Sequence, residues 1–486
     1  MNRRTFLAAL PTCALSAETP LAQRLANDPH RPKYHFLPPA HWMNDPNGPI
    51  YWKGQYHMFY QHNPNGVFWG TMHWGHAVSP DMIHWSHLPV ALAPDPAGPD
   101  KDGVFSGCTV SNDGEATIVY TGTKPEVQCI ATSSDDLYSW KKSDSNPVIA
   151  RPPDDVQVTG FRDPWVWRDA DTWYMALGSG IANVGGAILL YRSPDLREWT
   201  YLHPIYVGQK DVKATSKNQV VSGEMWECPS FFPLDGKHVL LVSTQETTPY
   251  YVGSFTELKF TPEFEGRLDT GAYYAATSQL DAQGRRIVWG WIQETRGREA
   301  QKAAGWSGVL SLPRLLSLKE NQLSIQPVAE LRKLRGKRLN VVNFFLPDNR
   351  PMRIPGVAGD GLEIIAELDL GDADEAGLHV LVAEDGSEST AISYQRGRNR
   401  LSVGTPSSEE RGNLTLAAAE PLRLHIFVDC SVIEVFANGR ACVTGRAYPT
   451  RADSLGLRAY AKGGSGKLRS MQVYEVKPIS ADRLTT

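Results

Sequence analysis

Between residues 33 and 328 the hydrophobic positions fall in short runs, often alternating with polar ones and separated by Gly-, Pro- or Asp-containing turns. Tyr56–Tyr60, Thr117–Tyr120, Trp173–Ala176, His238–Ser243 and Arg286–Trp291 are such runs. Their richness in β-branched and aromatic residues predicts strands. Helical spacing is nearly absent, so the fold class expected is all-β. A weak repeat organises the stretch: His76-Ala-Val-Ser-Pro-Asp81-Met-Ile-His-Trp85, Ala131-Thr-Ser-Ser-Asp135-Asp-Leu-Tyr-Ser-Trp140 and Tyr191-Arg-Ser-Pro-Asp195-Leu-Arg-Glu-Trp199. Each reads as a strand end, a Ser/Asp turn and a Trp opening the next strand. The tryptophans are 55 and 59 residues apart, a period that suits one four-stranded blade of a β-propeller. Residues 33–328 have room for five.

The pattern changes around Gln326–Arg335. Val328, Leu331 and Leu334 recur at helical spacing amid basic residues, which predicts a linker helix over 329–340. Alternating strands then return at Leu362–Leu370, Leu378–Val382 and Arg423–Val428. Asn438-Gly439 between two strand-like runs signals a hairpin. Residues 341–480 are expected to form a β-sandwich.

Length agrees with two domains, since 486 residues exceed one ordinary core. With 21% charged residues and a net charge of −4, nothing points to a nucleic-acid or anionic-membrane partner. The 14 Trp, 18 Tyr and 15 Phe change the picture more. Many lie in the first domain beside Asn, Asp, His and Gly, where rings stack on sugar faces as well as pack sheets. The first residues, with Arg3-Arg4, Thr5-Phe6-Leu7 and an apolar run to Leu15, resemble a twin-arginine export signal over 1–26. Export to the periplasm or medium is the expectation. The run is too short to span a bilayer, and no membrane association is expected of the mature form. Cys108, Cys129, Cys228, Cys430 and Cys442 are odd in number and irregularly spaced, which is neither a disulfide framework nor a zinc pattern. His73-x-x-His76 and His84-x-x-His87 are expected to hydrogen-bond within the fold. No metal or organic cofactor is implied.

Three segments place a carboxylate close to a proline. In His41-Trp-Met-Asn-Asp45-Pro-Asn-Gly48, Pro46 biases Asp45 towards an extended backbone and Asn47-Gly48 reads as a turn. Asp45 would thus end a strand, its carboxylate on a rigid rim. Arg162-Asp163-Pro164 repeats the Asp-Pro pair, and Met225-Trp-Glu227-Cys-Pro229 is the third segment. Each alone reads as a turn. Spread over different blades of a propeller, the three converge on its axis. Convergent carboxylates suit glycoside cleavage, in which one attacks ionised and another holds a proton for the leaving oxygen. Crowding like charges raises the pKa of at least one.

These segments resemble a known family. Trp42–Gly48, Phe105-Ser-Gly107, Arg162–Pro164 and Trp226-Glu-Cys-Pro229 look like the motif series of glycoside hydrolase family 32, the invertases, exo-inulinases, levanases and fructan exohydrolases. Tyr273–Ala276, Gly290-Trp291, Gly305–Arg314, Ile426–Asp429 and Ser431–Phe436 are similar as well, so the likeness runs from about residue 33 to about 475. It implies a five-bladed propeller with an appended sandwich, and retaining hydrolysis of terminal β-fructofuranosyl residues of fructans (inulin, levan) or of sucrose. Carried over, Asp45 is the nucleophile, Glu227 the acid/base, and Asp163 the residue that holds fructose hydroxyls and stabilises the transition state. Asn44, Gln61, Trp69, Phe105, Ser106 and Arg162 would line the fructose pocket, and Trp42, Tyr274 and Trp306 would form its wall.

Two departures bear on specificity. Cys108 stands where the family often has serine, and Ser230 where many members have an aspartate associated with the glucose unit of sucrose. The second tilts the expectation towards fructan ends. A fructosyltransferase would use the same triad and deliver the intermediate to a sugar. A non-catalytic fructan-binding protein of the same fold is the remaining alternative, and intact Asp45, Asp163 and Glu227 argue against it.

Overall fold

The computed structural model describes residues 20–213, 220–319, 322–405 and 408–480. The chain is all-β apart from two seven-residue α-helices and two short 3₁₀ turns among these residues. Five antiparallel sheets come first, and each is entered through a strand carrying part of the site: His41–Trp52, Val104–Asn112, Val158–Asp169, Glu227–Leu234 and Tyr273–Leu280. Each entry strand packs beside the next, and the fifth packs beside the first. The late segment Trp306–Ser307 also joins the first sheet, parallel to His41-Trp42, which ties the end of this region to its beginning. The five runs predicted from hydrophobic patterning all fall within second strands: Gln55–Asn63, Glu115–Gly122, Thr172–Ile181, Lys237–Ser243 and Arg286–Ile292. These are sandwiched between neighbours and carry the most continuous apolar pattern.

The Ser/Asp/Trp repeat proves to be a turn device between the third and fourth strands of the first three sheets. Asp81 Oδ1 accepts from the Ile83 and His84 amides, and Asp195 Oδ1 from those of Arg197 and Glu198. Met82, Leu137 and Leu196 take positive φ of 66, 74 and 67°. The indole N–H of Trp85, Trp140 and Trp199 then donates to the carbonyl of those same residues, at 3.1, 3.1 and 2.9 Å. The indole thereby satisfies a carbonyl that the kinked turn removes from the ladder.

The second region has two six-stranded sheets facing one another over one core, with Ile364, Ile426 and Val435 from one and Leu378, Ile392 and Leu457 from the other. The predicted hairpin is present as Val432–Ala437 and Ala441–Arg446. The linker helix expected over 329–340 is a 3₁₀ helix of six residues, Ala329–Leu334. Strand Arg335–Leu346 follows directly and pairs with Gly466–Val476. Leu331 and Leu334, three apart, are both buried, a spacing that serves a 3₁₀ turn as well as an α-helix. Of the expected export signal, residues 1–19 lie outside the described residues. Leu21–Asn27 is a helix that buries Leu25 in the core, so the folded part begins ahead of the boundary at residue 26. No helix among the described residues is long and apolar enough to cross a membrane. The five cysteines among the described residues are free.

Candidate active site

Every entry strand breaks its ladder at the residue that matters. On the first, the register with the neighbouring strand slips between Met43 and Pro46, around Asn44 and Asp45. On the second it slips between Phe105 and Gly107, around Ser106. On the third Asp163 is skipped, and its φ is +64°. On the fourth the slip lies between Glu227 and Ser230, with Cys228 at φ +48°. On the fifth it follows Tyr274, with Ala275 at φ +51°. A bulge leaves a residue out of the ladder and re-aims its side chain. Proline, which has no N–H to donate, fits beside such breaks and follows at positions 46, 164 and 229. The sequence-based picture of Asp45 ending a strand before an Asn47-Gly48 turn is therefore corrected: the strand runs on to Trp52. The two Asp-Pro pairs also differ, since Asp163 takes the left-handed region that a following proline disfavours.

The bulges bring the carboxylates together. Asp45 Oδ1 accepts from Asn44 Nδ2 at 2.9 Å, and its Oδ2 from Ser106 Oγ at 2.9 Å. Trp42 Nε1 donates to Asn44 Oδ1 at 2.7 Å and orients that amide. The Cys228 thiol lies 3.5 Å from Asp45 Oδ2 and 3.6 Å from Asp163 Oδ2, so two carboxylates flank one sulfur. Asp163 Oδ2 also accepts from the Cys228 amide at 3.0 Å. Glu227 is held differently. Its Oε1 accepts from Arg162 Nη2 at 2.6 Å and Nε at 3.2 Å, and its Oε2 from the Tyr274 hydroxyl. Arg162 is shared, because its Nη1 donates to Glu126 at 2.8 Å.

Electrostatics follow from this crowding. Burial raises the pKa of Asp163 to about 7, aided by the charges of Glu227 and Asp45 and opposed by Arg162. Burial also raises Asp45, while the Asn44 and Ser106 hydrogen bonds pull the other way. The Tyr274 phenol and the Cys228 thiol are both pushed upward by burial and adjacent carboxylates, and so keep their protons as donors.

Beside this centre, with none of the three carboxylates in its lining, Trp42, Trp69, Trp291 and Arg298 border an open cavity of about 470 Å³. Trp69 is 57% exposed and meets Phe105 edge-on, and Trp42 meets Trp291 likewise. Some expectations change. Trp306 is fully buried, with its indole donating to Asp28 Oδ2 and Arg296 over its ring, so it is core and not pocket wall. Gln61 is buried behind the site, its amide donating to the Val104 carbonyl. Tyr274, expected as wall, is a hydrogen-bond partner of Glu227 and is itself buried. Trp291 and Glu126 were not singled out from sequence as site residues; Trp291 stood in a noted motif, whereas Glu126 lies on a turn with no motif around it. Ser230 and Cys108 do not face the cleft. Ser230 Oγ meets Ser278 Oγ between sheets, and Cys108 Sγ accepts from the Val166 amide. The tilt towards fructan ends that rested on Ser230 falls with that finding.

Inward carboxylates on bulges, one bedded in neutral donors and one gripped by a guanidinium and a phenol, define the class: an enzyme that cleaves glycosides by paired carboxylates. The chain belongs to glycosyl hydrolases family 32, whose N-terminal domain model matches residues 35–327 and whose C-terminal model matches 330–475. It is 34% identical to a sucrose-6-phosphate hydrolase of Zymomonas mobilis, with 93% of each chain covered. It is 35% identical to the levanase of Bacillus subtilis, covering 97% of this chain and 74% of that one. The crystal structure of fructan 1-exohydrolase IIa from Cichorium intybus superimposes with a TM-score of 0.83 at 26% identity, covering 93% of this chain and 98% of that one. The chain is thus a glycoside hydrolase of a fructosidase family.

Proposed function

We propose that this enzyme is a retaining β-fructosidase that releases terminal β-D-fructofuranosyl residues from fructans and sucrose. In this reading the five sheets are blades of a five-bladed propeller over residues 33–328, supported by the closed succession of entry strands. The facing six-stranded sheets are the sandwich, entered at Arg335. Asp45 attacks the anomeric carbon while Glu227 protonates the leaving oxygen. Glu227 then takes a proton from water, whose oxygen displaces Asp45. Asp163 binds the fructosyl hydroxyls. The observation that carries the reading is the unequal provision of the two carboxylates. Asp45 is met by neutral donors that orient it for attack, and Glu227 by a tyrosine and a shared arginine positioned for proton transfer.

Relatives named levanase and sucrose-6-phosphate hydrolase, and a fructan 1-exohydrolase variant crystallised with 1-kestose, support fructosyl donors of several lengths. The test is to assay purified enzyme on sucrose, sucrose 6-phosphate, inulin and levan and to chromatograph the products. Free fructose as the sole product from polymer is the expected result. Oligofructosides as the main product from concentrated sucrose would instead make it a transferase. Export through Arg3-Arg4 is part of the proposal, and Arg3→Lys with Arg4→Lys should retain activity in the cytoplasmic fraction.

A further inference from the structure

The entry strands have a second end. Beyond the catalytic bulges their later halves surround a separate cavity of about 720 Å³, lined by Thr109, Trp165, Trp167, Phe232, Gln279 and Arg286 among others. Its polar groups are poorly matched. Arg286 is 9% exposed, yet no carboxylate of the described residues pairs with its guanidinium. It rests over the Phe232 ring at 4.4 Å and reaches Ser278 Oγ at 3.5 Å, while its Nε has no hydrogen-bond partner. Gln279 Oε1 and the Thr109 hydroxyl are also unpartnered, but both atoms are sealed from solvent, with the Gln279 amide turned towards Met82 Sδ. A buried cation without a counter-charge is costly, and buried amide and hydroxyl groups ordinarily find partners. Nearby Arg168 is paired with Asp113, so it does not compete with Arg286 for an anion. Burial draws the Arg286 pKa down to about 10 with no carboxylate opposing it.

We propose that this cavity is a binding site for a small organic anion. Its anionic group would sit on Arg286 and its carbon face against Trp165 and Trp167. The anionic group is a phosphate ester or a carboxylate. The site is independent of the fructosidase reading and lies at the opposite end of the strands from Asp45.

Titration followed by tryptophan fluorescence and calorimetry, with fructose 6-phosphate, gluconate and neutral fructose as probes, tests it. One anion or both should bind saturably with a Kd of about 1 mM or tighter, while fructose at the same concentrations leaves this signal unchanged. Preference for fructose 6-phosphate would mark a phosphate ester and preference for gluconate a hydroxycarboxylate. Arg286→Gln should weaken anion binding at least about tenfold and Arg286→Lys, which loses the forked donor, severalfold, both with unaltered kcat on sucrose. Binding of neither anion, or equal anion binding by wild type and Arg286→Gln, would overturn the proposal. Arg286→Lys keeps the test open if Arg286→Gln does not fold, and anion binding by it equal to wild type would overturn the proposal.

Discussion

Two places in this enzyme gather three carboxylates, fully buried in one and partly exposed in the other, and they treat them oppositely. Where the two-sheet region meets the five-sheet region, Asp269, Asp429 and Glu434 surround Arg314 and His35. Arg314 donates to Asp269 at 2.9 Å and to Glu434 at 2.6 Å, and His35 bridges Asp429 and Glu434 at 2.8 and 3.0 Å. Burial pushes Glu434 up, but Arg314 and His35 outweigh it and its pKa ends below the ordinary value. For His35 burial pulls downward, and the two carboxylates more than reverse that. In the cleft, Asp45, Asp163 and Glu227 have only Arg162, which Glu126 also claims, and both aspartates titrate high. One cluster is closed by its own counter-charges. The other is left short of them, and in the proposed mechanism that shortage is what a developing oxocarbenium charge and a moving proton would meet.

The largest break in this comparison is Asp45→Ala. It should lower kcat on sucrose on the order of 10⁴-fold while circular dichroism and melting stay near wild type, because the cleft gains nothing in stability from that charge. Arg314→Met does the reverse. It strands Asp269 and Glu434 in a fully buried interface and should cost about 3–5 kcal/mol, read by denaturant unfolding, with kcat per folded molecule kept.

Asp163→Asn separates the clusters by pH. A carboxylate whose folded pKa is raised holds a proton that the unfolded chain has released, so stability declines as pH climbs from about 3.8 to about 7. Removing the ionisable group abolishes that decline. The variant should melt several degrees above wild type at pH 8, with the difference closing towards pH 4, though its activity is lost. The smallest effect is Tyr274→Phe. Losing one donor to Glu227 should reduce kcat/KM by about tenfold, most clearly on substrates with poor leaving groups, and shift the pH–rate profile.

What could be read from sequence divides along the same line. The three carboxylate segments were legible because bulges need proline and small residues, which leave dense local motifs. The Ser/Asp/Trp turns were legible for the same reason, and only three are visible because the fourth sheet replaces its turn with the tight Glu257-Leu258 connection, both residues at positive φ. What was illegible is long-range. Trp306 looks like a wall residue in sequence, yet its pairing with His41 and its bond to Asp28 draw it into the core. Ser230 lies three residues after Glu227 and Cys108 two after Ser106, and the intervening bulges decide which face each takes, which no local pattern shows. Asp429 and Glu434 lie in a motif that reads as strand core and domain interface, and nothing local announces that Arg314 and His35 complete it. The 3₁₀ turn at Ala329–Leu334 was overextended because its Leu331–Leu334 spacing suits both helix types.

The central claim is that Asp45 forms the bond to fructose and Glu227 serves both proton transfers. Glu227→Gln, given β-fructofuranosyl fluoride, needs no acid for the first step and lacks the base for the second, so the intermediate should accumulate. Acid quenching, proteolysis and mass spectrometry should then find the peptide containing Asp45 heavier by one fructosyl unit. An adduct on another residue, or prompt turnover with no adduct at all, would contradict the account.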